Sequence, residues 1–162
     1  MKISLTESQV KNLVKVLSEA FEAVPFELYI DEPEYTDYRF SLNGFDYLVV
    51  IEMDAPNNYF LTFDILRDDD HITDTDNSGL DLKHLNTVVY TVYKITEDFI
   101  NNHPDTEVMR INPTYDSSRG ESTDGDDNIR MRIYARFIKN TNLNITGYHI
   151  DEVNNVIVLL FK

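Results

Sequence analysis

The sequence predicts a single α+β domain over residues 1–162, with a mostly antiparallel sheet and three helices in the order α-β-β-β-α-β-α-β-β. Apolar residues recur at three- and four-residue spacing in three stretches, as they do on one face of a helix. In other stretches apolar and polar residues alternate, as they do in strands with one buried face. The length fits one domain, and a hydrophobic content of 42% is sufficient for a packed core.

The first predicted helix begins at a capping box that runs from Thr6 to Gln9. The Thr6 hydroxyl can accept from the Gln9 amide, and the Gln9 side chain can reach back to the cap. Leu5 and Val10 supply the apolar contact that often accompanies such a cap, and the helix ends near Pro25. Its apolar stripe consists of Val10, Leu13, Val14, Leu17, Ala20 and Phe21.

Beyond Pro33 the hydrophobic period changes to two, which predicts three strands in an antiparallel meander. Asn43-Gly44 predicts the first turn, because this pair readily adopts the positive φ angles of a two-residue hairpin. Residues 54–58 predict the second turn. The alternating apolar residues are Tyr38, Phe40 and Leu42, then Phe45, Tyr47, Val49, Ile51 and Met53, and then Tyr59, Leu61, Phe63 and Ile65.

The second half of the chain predicts two further helices and three further strands. The elements are a helix over residues 81–102, a strand over 108–112, a loop over 116–128, a helix over 129–138 and a hairpin formed by 147–153 and 156–161. His103-Pro104 ends the first of these helices, because the residue before proline disfavours the helical region. Asn154-Asn155 forms the turn of the closing hairpin.

Composition excludes several classes of protein. Cysteine is absent, which excludes disulfides, thiolate metal sites and a cysteine nucleophile. There is no apolar signal region and no apolar run of about 18 residues, so we expect an intracellular protein that is not secreted and has no membrane span.

The 14 basic and 29 acidic residues give a net charge of −15. Direct binding to nucleic acid or anionic lipid is therefore not expected, because phosphates attract Lys and Arg.

The acidic residues are concentrated in residues 31–81, the acidic segment, which has fourteen acids against two bases. Residues 129–140 instead carry four bases and no acid. These two stretches either pair within the fold or leave the acids to bind a basic protein surface. The predicted partner-binding residues are Asp68, Asp69, Asp70, Asp74 and Asp76, and a second acidic loop contains Glu121, Asp124, Asp126 and Asp127. The second loop is either a solvated tip or a docking segment.

Two features accompany the predicted order of elements. The loop from Arg67 to Gly79 joins the third strand to the long helix, and Tyr134 lies in the third helix, ahead of Gly147-Tyr148. This arrangement resembles the GNAT acetyltransferases, whose core has helices, three meandering strands, a helix, a strand, a helix and a closing strand pair. In that family the loop carries Gln or Arg, two spacers, Gly, a spacer and then Gly or Ala, and its amides bind the pyrophosphate of acetyl-CoA.

The resemblance implies that Tyr134 acts as the acid that protonates the departing thiolate and that Gly147-Tyr148 is similar to the family's Gly-Phe. Alternatively, Tyr134 is a core aromatic, since it lies at helical spacing among apolar residues. The Arg67 to Gly79 loop has one glycine and five aspartates. These charges would repel a pyrophosphate, so the sequence predicts that no cofactor is bound.

The stretch from Asp74 to Gly79 copies the first six positions of a calcium-binding loop. The copy then ends, because Asp81 replaces an apolar residue and Leu85 replaces the bidentate glutamate. The alternatives are a weak cation site formed by Asp74, Asp76 and Ser78, or a helix start favoured by acidic side chains. The second alternative is preferred, and the sequence predicts no metal site.

These observations together predict a non-enzymatic acidic interaction protein whose partner is a basic protein surface. The opening stretch, Met1 to Gln9, resembles small uncharacterised proteins of tailed phages. This resemblance implies either a virion or assembly component, with self-association, or an inhibitor of a basic host protein in the host cytoplasm. The alternative function is a GNAT-like acyltransferase or a degenerate descendant of one.

Overall fold

The computed structural model of the chain describes residues 22–66, 82–112, 138, 143–151, 153–154 and 156–161. The described residues form seven strands and one helix. The elements are β1 (Phe26–Glu32), β2 (Tyr35–Leu42), β3 (Phe45–Ala55), β4 (Asn58–Leu66), α1 (Leu82–Asn102), β5 (Val108–Asn112), β6 (Ile145–Asp151) and β7 (Val156–Phe161).

The seven strands form one mixed sheet in the order β1-β2-β3-β4-β5-β7-β6. Strands β1 to β4 are a meander of antiparallel neighbours, and β5, β7 and β6 are also paired antiparallel. The two groups are joined by the parallel pair β4 and β5. A parallel pair needs a long crossover connection, and α1 forms part of it.

The predicted α+β fold with three helices in a GNAT-like order is wrong. The described part of the chain is mostly β, with a seven-stranded mixed sheet and a single helix. The prediction for residues 6–21 lies outside the described residues. Of the predicted helix over 129–138 only Ile138 is described, and its side chain is buried in the core.

Strand β1 is the main addition to the predicted order, since the sheet begins with four antiparallel strands instead of three. Three of its seven residues are acidic, and prolines flank it at positions 25 and 33. Its register with β2 also shifts between Leu28 and Ile30, which places a bulge at Tyr29 and interrupts the alternation. The period-two signal that marks a strand is therefore weak here.

Several other predicted elements are confirmed. The Asn43-Gly44 turn has φ angles of 52° and 81°, in the left-handed region that this pair tolerates. Helix α1 ends at Asn102, directly before His103-Pro104. The predicted strand over 108–112 is β5, and the closing hairpin is formed by β6 and β7.

The core lies between α1 and one side of the sheet. On β2, β3 and β4 the neighbouring residues Tyr38, Val49 and Phe63 stand side by side on this helix-facing side. The period of α1 presents a matching apolar stripe, and burial of each such side chain contributes about 1.5–3 kcal/mol. The stripe consists of Val88, Val89, Val92, Ile95 and Phe99. Ring contacts add to it, as between Tyr59 and Phe99, whose centroids are 4.9 Å apart.

A candidate acidic interaction face

The sequence-predicted site residues lie outside the described part of the chain. They are Asp68, Asp69, Asp70, Asp74, Asp76, Ser78, Glu121, Asp124, Asp126, Asp127 and Tyr134. The predicted partner-binding role of the aspartates, the weak cation site and the acyltransferase alternative at Tyr134 therefore stay predictions. The basic stretch over 129–140 also lies outside the described residues, apart from Ile138.

The described strands reveal a different acidic surface. Successive side chains of a strand point to opposite sides of the sheet. The residues that alternate with the core residues along each strand therefore point away from α1, and we call these the outward positions. On β1 to β4 these outward positions carry seven acids, which we name the acidic face. Its members are Glu27, Glu32, Asp37, Asp46, Glu52, Asp54 and Asp64.

The described strands place two arginines on this side of the sheet, and each is already paired. Two nitrogens of the Arg39 guanidinium donate to Asp37: Nη2 donates to Oδ2 at 3.2 Å, and Nε donates to Oδ1 at 3.4 Å. Arg110 on β5 donates from Nη1 to Asp54 Oδ2 at 2.7 Å. Because each arginine neutralises one aspartate of the acidic face, the face keeps a net negative charge.

The Asp37 and Arg39 pair joins a buried carboxylate to a partly exposed guanidinium. The Asp37 side chain is only 2% exposed, whereas Arg39 is 41% exposed. A buried carboxylate needs such a charged partner. The hydrogen bond to Asp37 raises the pKa of Arg39. The Arg39 guanidinium also lies 3.7 Å from the centre of the Tyr29 ring, a cation–π contact that orients both side chains.

Tyr35 lies among the acids of this surface. Register places it between Glu32 on β1 and Glu52 on β3. Burial raises the pKa of Tyr35, and the charges of Asp37 and Glu52 raise it further, while Arg39 opposes them. Burial and the two carboxylates therefore favour the neutral phenol.

Apolar side chains lie between the acids. Leu48 and Val50 occupy the outward positions in the middle of β3 and are half-buried, with Asp46 and Glu52 exposed at either end. An apolar centre with a charged rim is the usual anatomy of a protein–protein interface. The acidic face therefore combines half-buried apolar side chains with exposed acids.

The other polar cluster lies on the helix-facing side, at the start of α1. Asn43 Nδ2 donates to His84 Nδ1 at 3.2 Å, which leaves Nε2 to donate to the Tyr47 hydroxyl at 2.7 Å. The Phe45 ring packs edge-on against the imidazole, with the centroids 5.7 Å apart. His84 and Tyr47 are both buried, so the cluster anchors the hairpin turn to the helix and does not present a group to a substrate.

Neither a metal centre nor a membrane span is found in the described ranges. No three His, Asp or Glu side chains among those residues are close enough together to bind a metal ion. No helix within them is both long and apolar enough to cross a bilayer. An open cleft beside α1 is lined by Lys94, whose Nζ donates to Glu97 Oε2 at 2.6 Å.

Comparison with known proteins identifies no relative. No protein-family model matches the sequence, and no curated protein or solved structure matches it either. The fold and the site therefore define only a class, a mostly β protein with one acidic sheet face.

The acidic face is not apparent from the distribution of acids along the chain, because strand pairing brings together acids that are distant in sequence. A signal for part of it is present in the sequence, since the acids at 46, 52 and 64 fall between the apolar residues of the predicted strands. Sorting charges by strand parity would have placed them together on one side. Glu27 could not have been included without β1.

Proposed function

We propose that this protein is a non-enzymatic interaction protein that binds a basic protein surface through its acidic face. The observation that supports the proposal is the acidic face itself, whose two arginines are both engaged with aspartates on the same side. Exposed Asp46 and Glu52 lie at either end of the half-buried pair Leu48 and Val50 on β3. A partner with Lys and Arg around an apolar patch would complement both features.

Electrostatics supports a protein partner over a phosphate-rich one. A net charge of −15 repels nucleic acid and anionic lipid at long range. The same charge accelerates encounter with a basic protein, and the effect weakens as salt screens it. We further propose two biological uses, as a phage virion or assembly component or as an inhibitor of a basic host protein in the host cytoplasm.

The proposal is tested by the salt dependence of binding to lysozyme, a basic protein of known structure. We compare two double variants that change the net charge equally. Asp46→Asn/Glu52→Gln removes two exposed acids of the face, and Asp105→Asn/Glu107→Gln removes two exposed acids elsewhere. Biolayer interferometry between about 50 and 300 mM NaCl gives the affinities. We expect the face variant to bind roughly fivefold more weakly at low salt, and the control variant to change far less.

Two results would contradict the proposal. Equal weakening by the two double variants would mean that net charge, and not the acidic face, governs binding. Binding that is absent, or that is unchanged across the salt range, would remove the electrostatic basis altogether.

A further inference from the structure

Strand β1 forms one edge of the described sheet. It pairs with β2 on one side, and no described strand pairs with its other side. Five of its seven residues are exposed. An edge strand presents unpaired backbone N–H and C=O groups, which can pair with another strand.

The side chains of this edge combine apolar surface with acidic charge. Leu28 is 46% exposed and Tyr29 is 62% exposed, which makes them two of the most exposed large apolar residues in the described chain. Residues 26–34 contain four acids and no base. The edge therefore presents both exposed apolar side chains and negative charge.

The bulge at Tyr29 arranges these groups on two sides. Leu28 is opposite Tyr38, so it lies on the helix-facing side of the sheet. Glu27 and Glu32 belong to the acidic face, and Tyr29 joins them there, since its ring lies under the Arg39 guanidinium. An added strand would meet Leu28 and Asp31 on the helix-facing side, and Glu27, Glu32 and the Tyr29 ring on the other side.

We propose that β1 is a docking edge for an extended basic segment of a partner protein, which adds to the sheet as an eighth strand. This inference rests on the proposed function and assigns it a site. Main-chain hydrogen bonds to β1 would supply affinity, and alternate side chains would supply specificity. The segment should alternate apolar residues, which pack against Leu28, with Lys or Arg, which face Glu27 and Glu32.

Charge decides against a second copy of the chain as the occupant. Two β1 edges placed side by side would bring the three acids of each strand together, and like charges on paired strands are destabilising. The nearest base, Arg39, is already bonded to Asp37. Acids on an edge strand discourage such self-pairing while they attract a basic partner.

The test uses NMR of the whole chain with a short blocked peptide of alternating Val and Lys. We expect the backbone amides within residues 27–31 that point away from β2, towards the open edge, to exchange more slowly when the peptide is added. At a concentration about ten times its Kd the slowing should be about tenfold. The control peptide replaces each Val by Pro, which keeps the charge but removes half of the backbone donors.

A charge-reversed variant provides a second control. Glu27→Lys/Glu32→Lys should lose protection by the Val–Lys peptide and gain protection by a Val–Glu peptide. Strand addition would be overturned if the proline peptide bound equally well. It would also be overturned if Asp46 and Glu52 became protected while β1 did not, and either result would leave the acidic face as the site. Absence of peptide binding while lysozyme still binds in a salt-dependent manner would also overturn strand addition alone. Loss of both kinds of binding would overturn the proposed function as well.

Discussion

Tyr38 connects the sheet to the helix through one hydrogen bond. Its ring is buried in β2, and its hydroxyl donates to Asp98 Oδ2 on α1 at 2.9 Å. Burial raises the pKa of Tyr38, and the hydrogen bond and negative charge of Asp98 raise it further. All three effects favour the neutral phenol in the folded protein.

This shift predicts a loss of stability at alkaline pH. An unfolded tyrosine ionises near pH 10, and Tyr38 ionises at higher pH when folded, so the unfolded state releases its proton first. The contribution of Tyr38 is complete below about pH 10 and declines as the pH rises from there towards the folded pKa. We expect Tyr38→Phe to be about 1 kcal/mol less stable near pH 8 but to lose less additional stability above about pH 10.

Urea unfolding at several pH values between about 8 and 11.5 measures this difference. The variant serves as its own control below about pH 10, where neither protein should depend on phenol ionisation. Parallel stability curves for the two proteins above that pH would contradict the assignment.

At the scale of elements, Thr91 attaches the segment before β1 to α1. Its buried hydroxyl accepts from Val24 N at 3.2 Å and donates to Thr87 O at 2.8 Å. Thr96 is also buried on α1, but its hydroxyl only donates to Val92 O, at 2.9 Å, within the helix. The two residues differ in whether a backbone N–H outside the helix depends on them.

This difference gives a matched pair of substitutions. Valine has the shape of threonine but cannot accept a hydrogen bond. We expect Thr91→Val to lose roughly 1–2 kcal/mol more stability than Thr96→Val, because Val24 N loses its acceptor. Urea unfolding of both variants measures the difference, and equal losses would show that the Val24 contact contributes nothing to stability.

The elements that the sequence predicts correctly are those fixed by local chemistry. The Asn43-Gly44 turn needs only a tolerance of positive φ, and α1 needs only its own apolar period and the proline that follows. Strand β1 was not predicted, because its bulge and acids hide the alternation. The parallel pairing of β4 with β5 joins segments that are distant in the chain, and no local pattern encodes it.

At the scale of the whole molecule, charge was predicted in sign but not in position. The excess of acids is visible in the composition, yet the acidic face exists only because strand pairing gathers alternate residues from four strands. The residues nominated from the sequence follow Arg67 or lie in the loop at 116–128, outside the described chain. The composition therefore predicts that a partner would be basic. The pairing of the strands is needed to locate the acidic face.

The net charge also predicts how salt affects stability. Like charges on one face repel each other in the folded state, and added salt screens this repulsion. We expect the melting temperature to rise as NaCl increases from about 10 to 150 mM. At the lower concentration Glu52→Gln should raise it by roughly 1–2 °C, while Glu107→Gln should change it less, because Glu107 lies off the acidic face. Differential scanning calorimetry tests both statements, and a fall in melting temperature with salt would contradict them.

The junction between β4 and β5 has a consequence for how the chain acquires its structure. Neighbours in the β1 to β4 meander are joined by tight turns, whereas Asn58 and Val108 pair across 50 positions. Contacts between close segments form faster than contacts between distant ones. We therefore expect the meander to assemble first and the parallel seam to close last. Every acid of the face lies on the early half, so this charged surface would be in place while the remainder of the sheet is still being built.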